Sequence, residues 1–183
     1  NSSIAPSGAA TMADAFTFIT SGGTDAITAV VVGLAASTSG GLSLVEITND
    51  AGDVIYGSTA NPASDTPSIS LSGLTATTGS TQYKIRVTPK THANMPVPPG
   101  STYSVTAKIN SWTGTNTHAG SDTAGTTVTI DNASPAGTTG ASTVAGDTQI
   151  SVSWTNPADA DFQKVIIYCK TSSITETPTE GSD

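Results

Sequence analysis

The chain has little charge, few cations, few aromatic rings and a single cysteine, and each shortage excludes something. Six Lys and Arg stand against fourteen Asp and Glu, a net charge of -8 over 183 residues. A nucleic-acid partner is held by clustered cations that neutralise phosphates, and an anionic lipid surface likewise, so neither is expected. Charged residues of both signs make up 11%, under half the usual share. Ser and Thr supply the missing polarity, at about three residues in ten. The lone cysteine, Cys169, allows no internal disulfide and no Cys-based zinc site. Extracellular eukaryotic domains usually carry disulfides and many bacterial surface domains do without them, so a prokaryotic surface is expected. Cys169 follows the apolar residues 165–168 and is expected to be buried as a small apolar side chain. An intermolecular disulfide or a lipid or haem attachment is the alternative, though no CxxCH motif supports haem. No HExxH, GxSxG or P-loop is present, and no enzyme activity is expected.

The apolar stretch over residues 26–36 is too short to span a bilayer and is rich in Val and Ile, so it reads as a buried strand. Asn1-Ser2-Ser3 lacks the basic and apolar parts of a signal peptide, so a secreted chain is expected to have lost its signal. Hydrophobic residues amount to 36%, which predicts a thin core such as two packed sheets enclose.

What is present is alternation with a period of two. Short apolar runs recur between Gly, Pro, Asn, Asp and Ser, which predicts strands over residues 13–20, 26–35, 43–49, 54–56, 68–74, 82–87, 103–109 and 126–130. Tyr83, Ile85 and Val87 share one face, and Lys84 and Arg86 the other. Tyr103, Val105, Ala107 and Ile109 repeat the pattern. No segment of a dozen residues carries a helical apolar stripe, so helix is confined to short turns. The prediction is an all-β chain, an antiparallel immunoglobulin-like β-sandwich with turn signals at regular intervals.

Pro135 and Gly137 break this pattern, and it restarts beyond them. Ile150, Val152 and Trp154 alternate along one strand, Asn156-Pro157 ends it, and a further strand with two apolar faces is predicted over residues 162–170. The run from Thr148 through Trp154 to Pro157, followed by Asp161 to Tyr168, resembles the opening of a fibronectin type III domain. In that family a Trp late in the second strand anchors the core, which Trp154 matches, and an alternating third strand follows, which Val165 to Tyr168 match. Asp131-Asn132-Ala133-Ser134-Pro135 resembles the linker that ends bacterial immunoglobulin-like repeats. Composition gives a flexible or assembly arm (or edge strand) over residues 1–12 and the alternation an immunoglobulin-like sandwich over 13–132, while the resemblance implies a linker over 133–137 and the N-terminal part of a fibronectin type III-like domain over 138–183. Such a domain has further strands beyond Asp183, so completion in cis or by another chain is expected.

Candidate site residues are few. Hard cations take carboxylate and carbonyl oxygens from loops. Asp50 and Asp53, Asp131 at the junction, and Asp159 with Asp161 are calcium candidates, with ordinary Asx turns as the competing reading. Asp65 and Asp147 also sit in turns. His92 and His118 fall in loops and are expected to be exposed. Trp112 is a candidate sugar-stacking residue beside the stiff Met95-to-Gly100 loop, or else a ring packed over the sandwich edge. Asn1 and Asn132 begin glycosylation sequons. No catalytic or cofactor-binding residue is assigned.

Together these predict an extracellular or cell-surface structural protein: a subunit of a filament or sheath, or an adhesin stalk, that contacts copies of itself or neighbouring surface-protein domains. The alternative is a carbohydrate-binding module appended to a larger secreted enzyme.

Overall fold

A computed structural model describes residues 1–96, 102–159, 162 and 164–169. The chain divides into two compact units, Asn1–Ser134 and Pro135–Asp183.

In the first unit the Val-, Ile- and Thr-rich runs become strands because branched side chains suit a pleated, half-buried surface, and the intervening Gly, Asn and Asp residues turn the chain. The strands are β1 (Ser2–Ile4), β2 (Thr11–Phe18), β3 (Asp25–Leu34), β4 (Leu42–Asn49), β5 (Ile55–Ala60), β6 (Ser68–Ser70), β7 (Thr75–Ala76), β8 (Thr81–Pro89), β9 (Thr102–Val105), β10 (Ala107–Gly114) and β11 (Val128–Asp131). One antiparallel sheet has the order β2-β8-β4-β5. A second has the order β10-β3-β6, with β7 also pairing on β3. A third has the order β1-β11-β9, where β1 is an outer strand running parallel to β11. The only helices among the described residues are 3-10 turns at Ser39–Gly41 and His92–Asn94, and none is long and apolar enough to cross a membrane.

The inner faces meet in one apolar cluster. Val45 and Ile47 of β4 and Ile85 and Val87 of β8 join Val30 and Val32 of β3, Ile69 of β6, Ile109 of β10, and Val105, Val128 and Ile130 of the third sheet. The unit is an all-β sandwich. Its two main sheets close against each other at β5 and β6. Thr59 Oγ1 donates to the Ser68 carbonyl at 3.3 Å and the Ser72 amide to the Tyr56 carbonyl at 2.9 Å. A Cβ at Gly57 would run into the Ser70 carbonyl, so only glycine fits this approach.

The single strand predicted over residues 103–109 is two strands in different sheets. Val105 pairs with Val128, Ala107 pairs with Leu34, and the Thr106 carbonyl accepts the Ala35 amide at 3.0 Å. Inward alternation continues through the crossing, since Val105 and Ala107 are both fully buried, so the change of sheet leaves no mark on the pattern.

Among its described residues the second unit contains one antiparallel hairpin, β12 (Thr139–Gly146) and β13 (Gln149–Thr155), with Val144 opposite Ser151 and Ala145 opposite Ile150. The strand predicted over residues 162–170 is not formed by its described residues. Phe162 and residues 164–169 join no ladder, and Ile167 is 56% exposed. A segment apolar on both sides needs a neighbour on each to become a central strand, and the described residues supply none. Cys169, expected to be buried, is exposed for the same reason.

One buried charge organises the outer face of the first sheet. Glu46 is 4% exposed and lies 3.4 Å from Arg86 Nη1. Arg86 also donates to the Gly52 and Ala10 carbonyls, each at 2.9 Å, and so ties two loops to the sheet. Removing one member of such a pair strands the other in low dielectric. Arg86→Met is expected to lower stability in urea unfolding by about 3–5 kcal/mol, with much of the loss recovered by adding Glu46→Leu.

Candidate functional site

A concavity of the first unit lies beside the last residues of β2, at Phe18. It is a groove of about 690 Å³ lined by the second half of β2, Asp25, Trp112 and residues 116–122. An aromatic cluster forms its floor. Phe16 and Phe18 stand edge to face at 5.4 Å, Phe18 meets Trp112 at 5.5 Å, and His118 lies 4.9 Å from Trp112 on the loop that follows β10. Trp112 is therefore half-buried between Phe18 and His118, inside β10 rather than at its end.

That loop, residues 115–127, carries no strand of its own and is held by acidic side chains. At its start Asp25 Oδ1 accepts the Thr115 amide and hydroxyl, both at 2.7 Å, and the Asn116 amide at 3.1 Å. The Thr115 hydroxyl, the two amides and the nearby His118 together outweigh the burial that opposes them and hold the Asp25 carboxyl below its ordinary range. A Cβ at Gly114 would meet Asp25 Oδ2 and push that carboxyl off its donors. At the far end Asp122 Oδ2 accepts the Ile109 amide at 2.7 Å and Asp122 Oδ1 the Thr123 amide at 2.9 Å. The Gly125 amide donates to Asp14 Oδ1 at 3.0 Å, and Thr126 Oγ1 donates to the Ala13 carbonyl at 2.8 Å.

Asp14 was not among the sequence candidates, yet it is 1% exposed. A bulge between Met12 and Asp14 turns both Ala13 and Asp14 inward. The signal was present in the sequence: Asp14, Phe16 and Phe18 share one face of the strand, which puts an acid on an apolar side. Burial and the neighbouring carboxyl of Asp122, opposed by the Gly125 and Ala15 amides, raise Asp14 from 3.8 to about 7.

The sequence-derived candidates are placed as follows. Asp50 pairs with Lys84 at 3.0 Å, and Asp53 accepts the Asn49 side-chain amide at 2.7 Å. Asn49 Oδ1 in turn accepts the Gly52, Asp53 and Val54 amides, so this segment is an Asx-type turn. Asp131 accepts the Ala133 amide at 3.1 Å, Asp159 accepts the Ala136 amide at 3.0 Å, and Asp161 lies outside the described residues. Among the described residues no three His, Cys, Asp or Glu side chains come together as a metal ion would need. Asp65, a turn residue in the sequence reading, fastens the β3–β4 connection by accepting the Ser37 and Ser39 amides at 2.6 and 2.9 Å.

Met95 does not line the Trp112 groove. It is buried against Gly41 at the opposite end of the sheet, where Leu42 pairs with Pro89, and residues 97–100 lie outside the described residues. His118 is exposed, and His92 is exposed while its Nδ1 meets Asn132 Oδ1 at 2.7 Å. Asn132 is 1% exposed, and its Nδ2, the atom a glycan would need, is enclosed with no partner. Asn1 Oδ1 accepts the Thr127 amide at 3.1 Å on an exposed residue. No protein-family model, no curated protein and no solved structure matches the chain.

Two outcomes follow from the carboxylates. The folded state keeps a proton on Asp14 up to about pH 7, while the unfolded chain releases it near 3.8. The folded state therefore binds more protons across that window, and stability is greatest below it and falls as pH rises through it. Denaturant midpoints measured from pH 4 to 8 should fall towards neutrality in the native chain, and Asp14→Asn should flatten the curve. Asp25→Ala removes three acceptor contacts at one oxygen, so amide exchange at Thr115 and Asn116 should accelerate while the β4 and β8 amides stay protected.

Proposed function

We propose that the chain is a structural component of a prokaryotic cell-surface or extracellular assembly, a filament, sheath or adhesin stalk. In this reading an immunoglobulin-like sandwich is followed by a fibronectin type III-like segment, and the chain works through domain-domain and subunit-subunit β-sheet contacts. The observation that carries the reading is the uncovered hairpin of the second unit. Ile150 is 67% exposed and Val152 44%, and with the half-buried Trp154 they line one face of β13. Ala145 and Thr143 stand opposite Ile150 and Val152 on β12 and extend that face. A two-stranded hairpin is marginal by itself, and an Ile, Val and Trp face gains stability when another sheet covers it. The low charge, the Ser/Thr-rich composition and the single cysteine suit a disulfide-free surface protein.

Sedimentation velocity over a range of concentrations tests this. The native chain should associate, and Ile150→Lys with Val152→Lys should weaken association by about tenfold or more while the first unit unfolds at an unchanged temperature. A chain that sediments as a monomer at every concentration, with or without the two lysines, contradicts the reading.

The Trp112 groove supports a second reading, a carbohydrate-binding module. An indole beside Asp25, Asn116, His118 and Asp122 combines a ring face with hydrogen-bonding groups of the kind that hold a sugar. A glycan array should then give a signal that Trp112→Ala abolishes, and an array blank for the native chain removes this reading.

A further inference from the structure

Asp14 is the most enclosed acidic side chain among the described residues, and the assembly reading makes no use of it. No N–H or hydroxyl reaches its Oδ2, and the carboxyl group of Asp122, on the same loop as the Gly125 amide that Asp14 accepts, is its charged neighbour. Two carboxylates so close, one of them buried, do not both stay charged. A single proton resolves the arrangement: one carboxyl becomes an O–H donor to the other, and the partnerless oxygen gains a partner.

The position of the pair gives that proton a mechanical consequence. Asp14 sits on β2 and Asp122 on the loop, and the same two side chains accept the Gly125, Thr123 and Ile109 amides. The closing end of residues 115–127 is thus fastened to β2 and β10 through these two carboxyl groups and the Thr126 hydroxyl. Gly120, Ser121 and Asp122 of that end also line the groove beside Trp112.

We propose that Asp14 and Asp122 form a proton-operated latch, which holds residues 115–127 closed while the two carboxyl groups share a proton and releases that segment, reshaping the Trp112 groove, when the proton is lost.

No cation on the surrounding strands competes for this role. From β8, Lys84 and Arg86 carry their heads to Asp50 and Glu46. Lys108 of β10 and Asp131 of β11 are exposed, and on the loop itself His118 faces Trp112 and Asp25. The buried residues beside Asp14 in its ladder and along its strand are apolar: Ile85 pairs with it across β8, and Ala13 and Phe16 lie near it on β2. Asp122 is half-buried and lines the groove, so the released proton leaves to water on that side. The negative charge left behind on two adjacent carboxylates drives them apart. Because the opening end is fastened separately by Asp25, release is confined to the closing end.

Amide protection factors measured between pH 5 and 8.5 test the latch. In the native chain, protection at Ile109 and Gly125 should fall about tenfold or more as pH rises, with the β4 amides unchanged. Acrylamide quenching of Trp112, read in a Trp154→Phe, His118→Gln background that removes the second indole and the imidazole stacked on Trp112, should rise over the same range. Asp14→Asn keeps a donor beside Asp122 without the titration, so both signals should stay at their low-pH level throughout. Asp122→Asn should do the same from the loop side, and Asp50→Asn, an exposed carboxylate, should leave the native profile intact. A flat native profile, or an unchanged pH profile in both Asp14→Asn and Asp122→Asn, overturns the proposal.

Discussion

Val45, Ile47, Ile85 and Val87 on one sheet, joined with Val30, Val32, Ile69 and Ile109 on the other, hold the first unit together, and every other feature of it hangs on that contact. No disulfide closes the chain, and ion pairs among the described residues are few. Stability has to come from apolar area removed from water between two thin sheets. The requirement explains the short strands, the close passage at Gly57 that brings β5 onto β6, and the third sheet that carries Val105, Val128 and Ile130 into the same cluster. It also explains why the buried polar side chains, Asp14, Asp25, Thr38, Glu46, Thr48 and Asn132, are few beside the apolar ones.

Those few do specific work at the ends and on the outer face. Side-chain carboxylates, rather than backbone ladders, fasten the loops: Asp65 between β3 and β4, Asp25 where residues 115–127 begin, and Asp14 with Asp122 where they end. A Thr- and Ser-rich chain with few cations has little else to do this with. Asp25 and Asp65 gain enough N–H and O–H donors to sit below the ordinary carboxyl range. Asp14 does not, and burial with Asp122 beside it raises its carboxyl to about 7 at the groove end of the sandwich.

Much of the architecture could be read from alternation alone. Tyr83, Ile85 and Val87 point inward with Lys84 and Arg86 outward because a strand has a period of two, and turn residues bracket β4 and β5 as expected. Alternation says which face is buried but not which sheet a strand joins, so the crossing at Thr106 was invisible. It does place Asp14 on the apolar face with Phe16 and Phe18, and only the bulge that turns Ala13 inward as well lies outside its reach. The strand expected over residues 162–170 and the buried Cys169 failed for another reason: an apolar segment becomes a strand only when neighbours pair with it. Of the candidate site residues, the sequence singled out Trp112 and His118, which the fold brings together, and had no means of adding Asp25 and Asp122, whose roles depend on contacts about ninety and thirteen residues away along the chain.

The account of the whole chain turns on whether the β12–β13 face is covered when the protein works. Hydrogen exchange of the hairpin amides, followed as protein concentration is raised, measures that directly. Sheet-to-sheet assembly predicts that protection at Ile150, Val152 and Trp154 climbs with concentration while the β4 and β8 amides stay constant. Protection of the hairpin that is the same at every concentration would contradict assembly through this face.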